Sequence, residues 1–230
     1  MEYIRKSADR GKANFGWLQS KHSFSFGNYH DKKHMGLSVL RVINDDRVMP
    51  GKGFAEHGHR DMEIISYVIE GALKHQDSTG NKYVVPAGDV QRMSAGRGVR
   101  HSEFNASSTD NVKFLQIWIE PNEMGIKPSY QQKTIPQQGP LTPLVTPSGK
   151  NGALSINQDA SLSRLQLSED ETFTVNTQHR IGYLHIIKGE IIAEGKHFFA
   201  GDAFAVEPEH ALELQAISAV EALWFDLPKQ

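Results

Sequence analysis

Two pairs of residues in the first half of the chain have the types and spacing of metal ligands. One glycine separates His57 from His59, and one serine separates His101 from Glu103. Side chains two positions apart on a β-strand point to the same face, so each pair presents two donor groups together. If the two strands are neighbours, the four donors converge. Imidazole and carboxylate donors suit a divalent Fe, Ni, Mn, Co, Cu or Zn ion.

A divalent ion held by three imidazoles and one carboxylate would keep a net positive charge. Four protein ligands also leave coordination positions free on a six-coordinate ion, enough for a small substrate beside dioxygen. The related set of two histidines and one carboxylate marks non-haem iron oxygenases. No GxGxxG or Walker sequence for an organic cofactor is present, so we expect the metal to carry the chemistry itself.

Strand signals dominate the sequence that must position these groups. Short β-branched and aromatic runs recur between Gly, Pro, Asn or Asp residues, as in sandwiches and barrels. The segments 71–75 and 82–86 flank the turn-forming Asp77–Asn81 and predict a hairpin. Helical periodicity is scarce, and Asn157–Leu165 is its best candidate. Further strands are predicted at 37–43, 64–69, 114–119, 212–217 and 221–226.

A weak internal repeat predicts a duplicated barrel. Val68–Gly71 resembles Ile186–Gly189, and Pro86–Asp89 resembles Phe199–Asp202. Between the copies, Pro121–Gly152 is rich in Pro, Gln, Gly, Ser and Thr, which is typical of a connecting segment. The predicted division is therefore an N-terminal metal-binding barrel over 1–120, a connecting segment over 121–152 and a C-terminal barrel over 153–230.

The spacing of residues around the two ligand pairs resembles a known superfamily. The first cupin motif is matched by Gly51, His57, His59, Glu63 and Gly71. The second cupin motif is matched by Gly80, Pro86, Gly88, His101 and Asn105. Within this superfamily the chain resembles the pirin family, through Met93–Asn105 (MSAGRGVRHSEFN), Phe24–Tyr29 and Leu40–Asp45.

The resemblance implies an all-β bicupin fold, with two antiparallel β-barrel or jelly-roll lobes in tandem and few short helices. It implies one divalent transition metal in the N-terminal barrel, with Fe²⁺ as the first expectation and Ni, Mn, Co, Cu or Zn as alternatives. The family's ligands fall on His57, His59, His101 and Glu103. Glu63 would then act behind the ligands and orient one of the histidines. The C-terminal copy lacks an HxH pair, like the metal-free C-terminal barrel of pirins.

The same resemblance implies an activity. Bacterial pirin-like proteins include quercetin 2,3-dioxygenases, so we expect a flavonol-like aromatic substrate and O₂ as partners, with ring opening and release of CO. Glu103 would be the catalytic base that accepts the proton of the substrate's 3-hydroxyl. Several aromatic residues either pack in the core or line the substrate cavity. They are Phe24, Phe26, Tyr29, Phe114 and Trp118.

Two alternatives remain open at this point. Animal pirins are similar in fold and ligands and act as metal-dependent partners of transcription factors. A non-enzymatic metal- or redox-sensing regulator that binds a transcription factor or an enzyme would therefore carry the same residues, because a fold and its ligands do not decide function. A zinc or manganese isomerase or hydrolase is the second alternative, although catalytic zinc sites usually use three protein ligands.

Composition argues against other classes of protein. The formal net charge is −2 with interspersed charges, which is not the pattern of a nucleic-acid-binding surface. The chain has no cysteine, which excludes disulfides and thiolate metal sites. No apolar run approaches the roughly 20 residues of a membrane helix, and residues 1–15 are too polar for a secretory signal. We therefore expect a cytoplasmic protein without nucleic-acid or membrane partners.

Overall fold

The structure is a computed structural model, and it describes residue 1 and residues 3–229. The described chain is almost entirely β-structure, and its only helices are the 3₁₀ turns Ser7–Asp9 and Lys150–Gly152. Among these residues, no helix has the length and apolarity needed to cross a membrane. The structure confirms the expected all-β fold with few short helices.

Twenty-two strands span the described residues. The first eleven are β1 (Ile4–Arg5), β2 (Gly11–Asn14), β3 (Leu18–His22), β4 (Leu40–Val48), β5 (Gly53–His59), β6 (Glu63–Glu70), β7 (Ala72–Asp77), β8 (Lys82–Pro86), β9 (Asp89–Ser94), β10 (Val99–Asn105) and β11 (Val112–Ile119). The others are β12 (Ser129–Thr134), β13 (Leu141–Thr146), β14 (Leu154–Ser155), β15 (Ser161–Leu167), β16 (Thr172–Asn176), β17 (Ile181–Lys188), β18 (Glu190–Ala193), β19 (Lys196–Phe199), β20 (Ala203–Val206), β21 (Ala211–Ala216) and β22 (Val220–Leu227).

The N-terminal lobe comprises residues 11–135 and 148–158. It contains a seven-stranded sheet in the order β12-β9-β6-β11-β4-β3-β2 and a four-stranded sheet in the order β5-β10-β7-β8. Apolar side chains from both sheets form one buried cluster, so the two sheets pack face to face as in a β-sandwich. The cluster comprises Leu18, Val48, Val68, Leu73, Val85, Val112 and Phe114.

The C-terminal lobe comprises residues 1–10, 136–147 and 159–230. In one of its sheets β1-β20-β17-β22-β15-β13 are neighbours, and a second sheet has the order β16-β21-β18-β19. Its core is a larger cluster to which both sheets contribute, including Phe198, Phe204 and Trp224. The strand β1 pairs with β20, so the start of the chain belongs to this lobe.

The two lobes repeat one topology. Adding eleven to the strand numbers of β9-β6-β11-β4 yields β20-β17-β22-β15, and the same shift converts β5-β10-β7-β8 into β16-β21-β18-β19. This agreement confirms the duplicated barrel that the internal repeat predicted. The predicted hairpin is also confirmed, because β7 pairs antiparallel with β8 across the turn at Asp77–Asn81.

The helix predicted at Asn157–Leu165 is wrong. Most of that segment belongs to β15, which pairs with β13 on one side and with β22 on the other. The buried leucines Leu162, Leu165 and Leu167 do not distinguish helix from strand by their spacing, since β15 is buried on both faces. Hydrogen bonding to two neighbouring strands decided the conformation.

The predicted division of the chain into domains at 1–120, 121–152 and 153–230 stays a prediction. The compact units are interleaved along the chain: residues 1–10 group with the C-terminal lobe, and residues 148–158 group with the N-terminal lobe. The expected connecting segment is itself ordered, because it contains β12 and β13.

Gly53 allows β5 to approach β10. A Cβ atom at this position would overlap the backbone of Glu103 and of Phe104 on β10. A Cβ at Gly58, on the same strand, would meet the carbonyl of Val99 at an ordinary 3.9 Å. The close approach therefore depends on the absence of a side chain at position 53.

We expect Gly53→Ala to destabilise the N-terminal lobe by about 1 to 3 kcal/mol, because the methyl group can be accommodated only if two strands separate. Gly58→Ala is the matched control and should unfold close to the wild-type midpoint. Urea unfolding of both variants measures the difference. Equal midpoints for Gly53→Ala and the wild type would contradict the close approach of these strands.

Candidate metal centre

Both predicted ligand pairs lie in the four-stranded sheet of the N-terminal lobe. β5 carries His57 and His59, β10 carries His101 and Glu103, and the two strands pair antiparallel with His101 opposite His57. Every second residue of β10 from Val99 to Asn105 is buried, so His101 and Glu103 point to the inner face. Both of these residues are 1% exposed, whereas the two histidines of β5 are half-buried.

The three histidine rings surround a common point. Their centroids are 4.8 Å apart for His57–His59, 4.5 Å for His57–His101 and 4.8 Å for His59–His101. The Nε2 atoms of His57 and His101 face each other at 3.0 Å. Each ring offers one nitrogen to a group in which all donors lie within 4.8 Å of one another. The three rings can therefore each direct one nitrogen lone pair toward the same point.

The backbone sets the tautomer of His57. Its Nδ1 lies 2.7 Å from the carbonyl oxygen of Ala55, and a carbonyl can only accept, so Nδ1 carries the proton and donates it. The lone pair of Nε2 is then directed toward His101. A hydrogen bond of this kind on the far nitrogen is how metal-binding histidines are usually oriented.

Glu103 is buried, and polar side chains of the same lobe hold it. Oε1 accepts a hydrogen bond from Gln91 Nε2 at 2.9 Å. Ser66 Oγ lies 3.2 Å from Oε1 and 3.0 Å from Gln116 Oε1 and donates its one proton to either oxygen. Oε2 accepts a hydrogen bond from Gln116 Nε2 at 2.7 Å. Burial opposes ionisation, but nearby His101 and His75 and the bond from Gln116 outweigh it and lower the pKa of Glu103. The carboxylate is therefore fixed in position and ionised.

Two of these histidines, His59 and His101, have a lowered pKa, which favours the neutral form that a metal needs. Burial, followed by the neighbouring His101 and His57, lowers the pKa of His59 to about 4, against an opposing effect of Glu103. Burial also lowers the pKa of His101, although Glu103 opposes it. At neutral pH the ring nitrogens of both residues are free to donate electron pairs to a cation.

These residues fit a divalent transition metal. A cation bound at these donors would stabilise the buried carboxylate of Glu103, because a buried charge is costly without a partner of opposite sign. Imidazole nitrogens disfavour ions such as Ca²⁺ and Mg²⁺, which prefer oxygen ligands. The donor set therefore matches a first-row transition ion.

An aromatic cavity of about 520 Å³ opens onto the site. Trp17, Phe26, Phe54 and Trp118 line it together with His57, His59 and Glu103. The Trp118 ring meets the His59 ring edge-on at 5.1 Å. Asn44, Asp46 and Gln116 supply polar groups to the same wall.

Of the five aromatic residues considered in the sequence analysis, some line a cavity and others pack in the core. Phe26 and Trp118 line the cavity beside the site, and Tyr29 lines a separate cavity of about 610 Å³ that shares Phe26 and Phe54 with the first. Phe24 and Phe114 are core residues, 1% and 0% exposed. The sequence analysis missed Trp17 and Phe54, because nothing in their local pattern separates a cavity wall from a core.

Glu63 does not orient a ligand histidine as expected. Its carboxylate accepts hydrogen bonds from Ser94 Oγ at 2.9 Å and from the side-chain amide of Asn157 at 3.1 Å. This pairing ties β6 and β9 to the segment at residues 148–158 of the same lobe. The residues that adjoin the site instead are His75 and Asp77 on β7, and His75 forms a second donor group with His101 and Glu103. Their signal in the sequence was the same spacing of one intervening residue.

Comparisons with known proteins agree with the fold and the site. The family model Pirin matches residues 4–119, and Quercetinase C-terminal cupin domain matches residues 143–227. A protein of Escherichia coli (strain K12) named quercetin 2,3-dioxygenase is 45% identical over 230 residues, covering 99% of each chain. A Caulobacter vibrioides relative named pirin-like protein is 40% identical, covering 96% of this chain and 98% of its own length.

One of the similar solved structures contains a bound metal. The bacterial pirin YhhW from Escherichia coli, in complex with nickel(II), superposes with a TM-score of 0.95 at 45% identity and covers 99% of both chains. The same protein in another crystal structure superposes with a TM-score of 0.96 and covers 99% of this chain and 98% of its own. With two family models and full-length relatives in agreement, the chain belongs to the pirin family of the cupin superfamily.

Proposed function

We propose that this protein binds one divalent transition metal through His57, His59, His101 and Glu103 and uses it to open the heterocycle of a flavonol with O₂, releasing CO. The observation that carries the proposal is the convergence of the His57, His59 and His101 imidazoles beside an aromatic cavity, with the buried Glu103 in a second donor group that shares His101. The 45% identical Escherichia coli relative named quercetin 2,3-dioxygenase supports the substrate class.

The four ligand residues have separate tasks in this proposal. His57, His59 and His101 hold the ion, and the backbone carbonyl of Ala55 keeps His57 in the required tautomer. When bound, the metal acts as a Lewis acid that favours the deprotonated form of a coordinated hydroxyl group. Because that acidity lowers the demand on a base, Glu103 can receive the proton of the 3-hydroxyl despite its own lowered pKa.

The polar partners of Glu103 make it an oriented acceptor. Gln91 and Gln116 each donate to one of its oxygens, so rotation of the carboxylate would break both hydrogen bonds. Among the described residues, Oε2 accepts only the bond from Gln116 and keeps a second lone pair, so a proton can bind there while the amide bonds remain in place.

The cavity walls suit a planar aromatic molecule. Its volume of about 520 Å³ lies within the roughly 300–1,000 Å³ of sites for small molecules. Phe26 and Trp118 meet edge to face at 5.4 Å and form one wall. Stacking on these rings would hold the flavonol with its hydroxyl toward the histidines, and it would keep water away from the reacting carbons.

The donor set accepts several metals, so metal identity needs its own measurement. Fe²⁺ is our first expectation for the catalytic ion, and the nickel(II) complex of the Escherichia coli relative shows that a closely similar chain binds another. Elemental analysis of protein expressed in its own host, combined with O₂ consumption on a panel of flavonols, tests the proposal. A fully metal-loaded protein that consumes no O₂ with any flavonol would overturn it and favour a regulatory role.

We expect His101→Ala to abolish metal binding and flavonol-dependent O₂ uptake together, because His101 is the buried histidine of the donor group. The metal content of the purified variant and an oxygen electrode measure the two effects. His30→Ala, which alters an exposed histidine of the same lobe, is the control and should retain both. A His101→Ala variant with normal metal content and turnover would refute the assignment.

Trp118→Ala should raise KM for a flavonol by about tenfold and leave the metal content unchanged, since the variant removes an aromatic wall but no donor. Steady-state kinetics and elemental analysis separate the two quantities. Phe199→Ala removes an exposed aromatic residue of the C-terminal lobe and should alter neither. A loss of metal in Trp118→Ala without a change in KM would contradict the cavity assignment.

The pKa of His59 predicts how the stability of the metal-free protein depends on pH. This pKa is about 4 in the folded protein and about 6.5 in an unfolded chain. Between these values only the unfolded chain binds the proton, so stability should fall as the pH drops from 6.5 to 4. In His59→Asn, the loss of unfolding free energy between pH 6.5 and 4 should be smaller by about 2 kcal/mol, a figure reduced because His59 is partly exposed. His30→Asn is the control for urea unfolding across this range. Parallel profiles for His59→Asn and the wild type would argue against the shift.

A further inference from the structure

A third strand of the same sheet carries a pair of polar residues toward the site. β7 lies on the side of β10 opposite to β5. Its His75 pairs across the strands with Glu103, and its Asp77 pairs with His101. Cross-strand partners point to the same face, so three neighbouring strands each present residues i and i+2 to one hollow.

His75 and Asp77 form a buried, hydrogen-bonded pair, called the dyad below. Their side chains are 0% and 1% exposed, and Nε2 of His75 lies 3.1 Å from Oδ2 of Asp77. Asp77 is held in turn by the backbone and side chains of Thr79 and Asn81. A carboxylate can only accept, so the proton of a neutral His75 resides on Nε2. Its Nδ1 is then an acceptor.

Two buried ring nitrogens without hydrogen-bond partners connect this dyad with the metal site. Nδ1 of His75 and Nδ1 of His101 are both buried without a hydrogen-bond partner within the described part of the chain. The two rings are neighbours, with centroids 5.4 Å apart, and a ring nitrogen of each belongs to one donor group spanning 4.8 Å. Buried polar atoms are seldom left unpaired, and a buried water typically bonds two to four polar groups that have no other partner.

His101 needs such a partner. Its Nε2 faces His57, so metal binding at that atom requires the proton to be on Nδ1. For His57 the carbonyl of Ala55 serves this purpose, whereas no described carbonyl or carboxylate accepts from Nδ1 of His101. Nδ1 of His75 can accept a hydrogen bond from a water that binds this proton, and His75 lies on β7, which pairs with β10 on the side away from β5.

We propose that Asp77 and His75 are positioning residues for the metal centre: one buried water accepts the Nδ1 proton of His101 and donates to Nδ1 of His75, and so keeps the lone pair of His101 Nε2 directed at the metal. This inference rests on the metal site of the proposed function but not on the reaction. It assigns a role to a buried acid and a buried histidine that the proposed reaction does not use.

An aromatic stack keeps His75 in place. The Tyr130 ring lies against the His75 ring at 4.5 Å, and the half-exposed Tyr83 stacks on Tyr130 at 5.3 Å. The hydroxyl of Tyr130 donates to Gln91, which itself donates to Glu103. The His75 ring is therefore packed between Tyr130 and His101 with little freedom to rotate.

Nickel(II) titration of the metal-free full-length protein tests the dyad. His75→Gln places an amide where Nε2 was and removes the acceptor at Nδ1, so we expect its nickel affinity to fall by about 10- to 100-fold. His75→Asn places an amide oxygen near the position of Nδ1 and should stay within about threefold of the wild type. Asp77→Asn leaves the imidazole in place and should weaken binding in the same direction as His75→Gln. Val84→Ala changes an exposed side chain of β8 outside the stack and the polar link; it is the control and should bind nickel as the wild type does.

Long-range ¹H–¹⁵N spectra supply a readout that a loss of packing would not mimic. In the wild type we expect a single Nδ1–H tautomer for His101, and in His75→Gln a mixture of both tautomers. Wild-type nickel affinity in His75→Gln and Asp77→Asn, with His101 in one tautomer, would overturn the dyad. An equal loss in His75→Asn and His75→Gln would also overturn it, because His75 would then be a ligand itself. A wild-type protein that binds no nickel would refute the metal site and the dyad together.

Discussion

The antiparallel pairing of β5 with β10 is the interaction on which the candidate centre depends, because these two strands carry all four proposed ligands. His101 lies opposite His57, but Glu103 lies opposite Phe54, so β5 holds one extra residue between these points. Such a bulge bends a strand locally and redirects its side chains. The strands can approach this closely only because Gly53 has no side chain to meet the backbone of β10.

Charge is the second constraint on the site. The carboxylate of Glu103 is buried and ionised while His59 and His101 are held neutral by burial. A lone buried negative charge is unfavourable unless hydrogen bonds and a cation compensate it. The amide groups of Gln91 and Gln116 provide the hydrogen bonds, and in our proposal the metal provides the charge. The pocket thus favours the form of each ligand that binds a metal.

Duplication has preserved the topology of the lobes but not their chemistry. The strands β16 (TFTVN) and β21 (ALELQA) occupy the positions that β5 and β10 hold in the N-terminal lobe, and neither contains a histidine. Buried side chains of β21, such as Leu212 and Leu214, contribute to an apolar core instead. One fold therefore holds a donor set in one lobe and a packed interior in the other, as expected when function resides in a few side chains.

The sequence of this chain was sufficient for its fold class, its internal duplication and the four candidate ligands. Strand alternation puts residues i and i+2 on one face whatever the strand's neighbours are, so the pairs at 57–59 and 101–103 could be recognised from spacing. The cupin motifs supplied the expectation that the two strands meet. These inferences depend on local geometry, which the chain encodes over a few residues.

Tertiary structure decided which strands are neighbours, and with them the surroundings of the site. The pair His75 and Asp77 has the same spacing as the ligands, but only the order β5-β10-β7 shows that it adjoins them. Sequence reasoning likewise missed Trp17 and Phe54, assigned Glu63 to the wrong partner and expected a helix where β15 lies. In each case contacts between residues distant in the chain determined the outcome, and local periodicity carries no information about them.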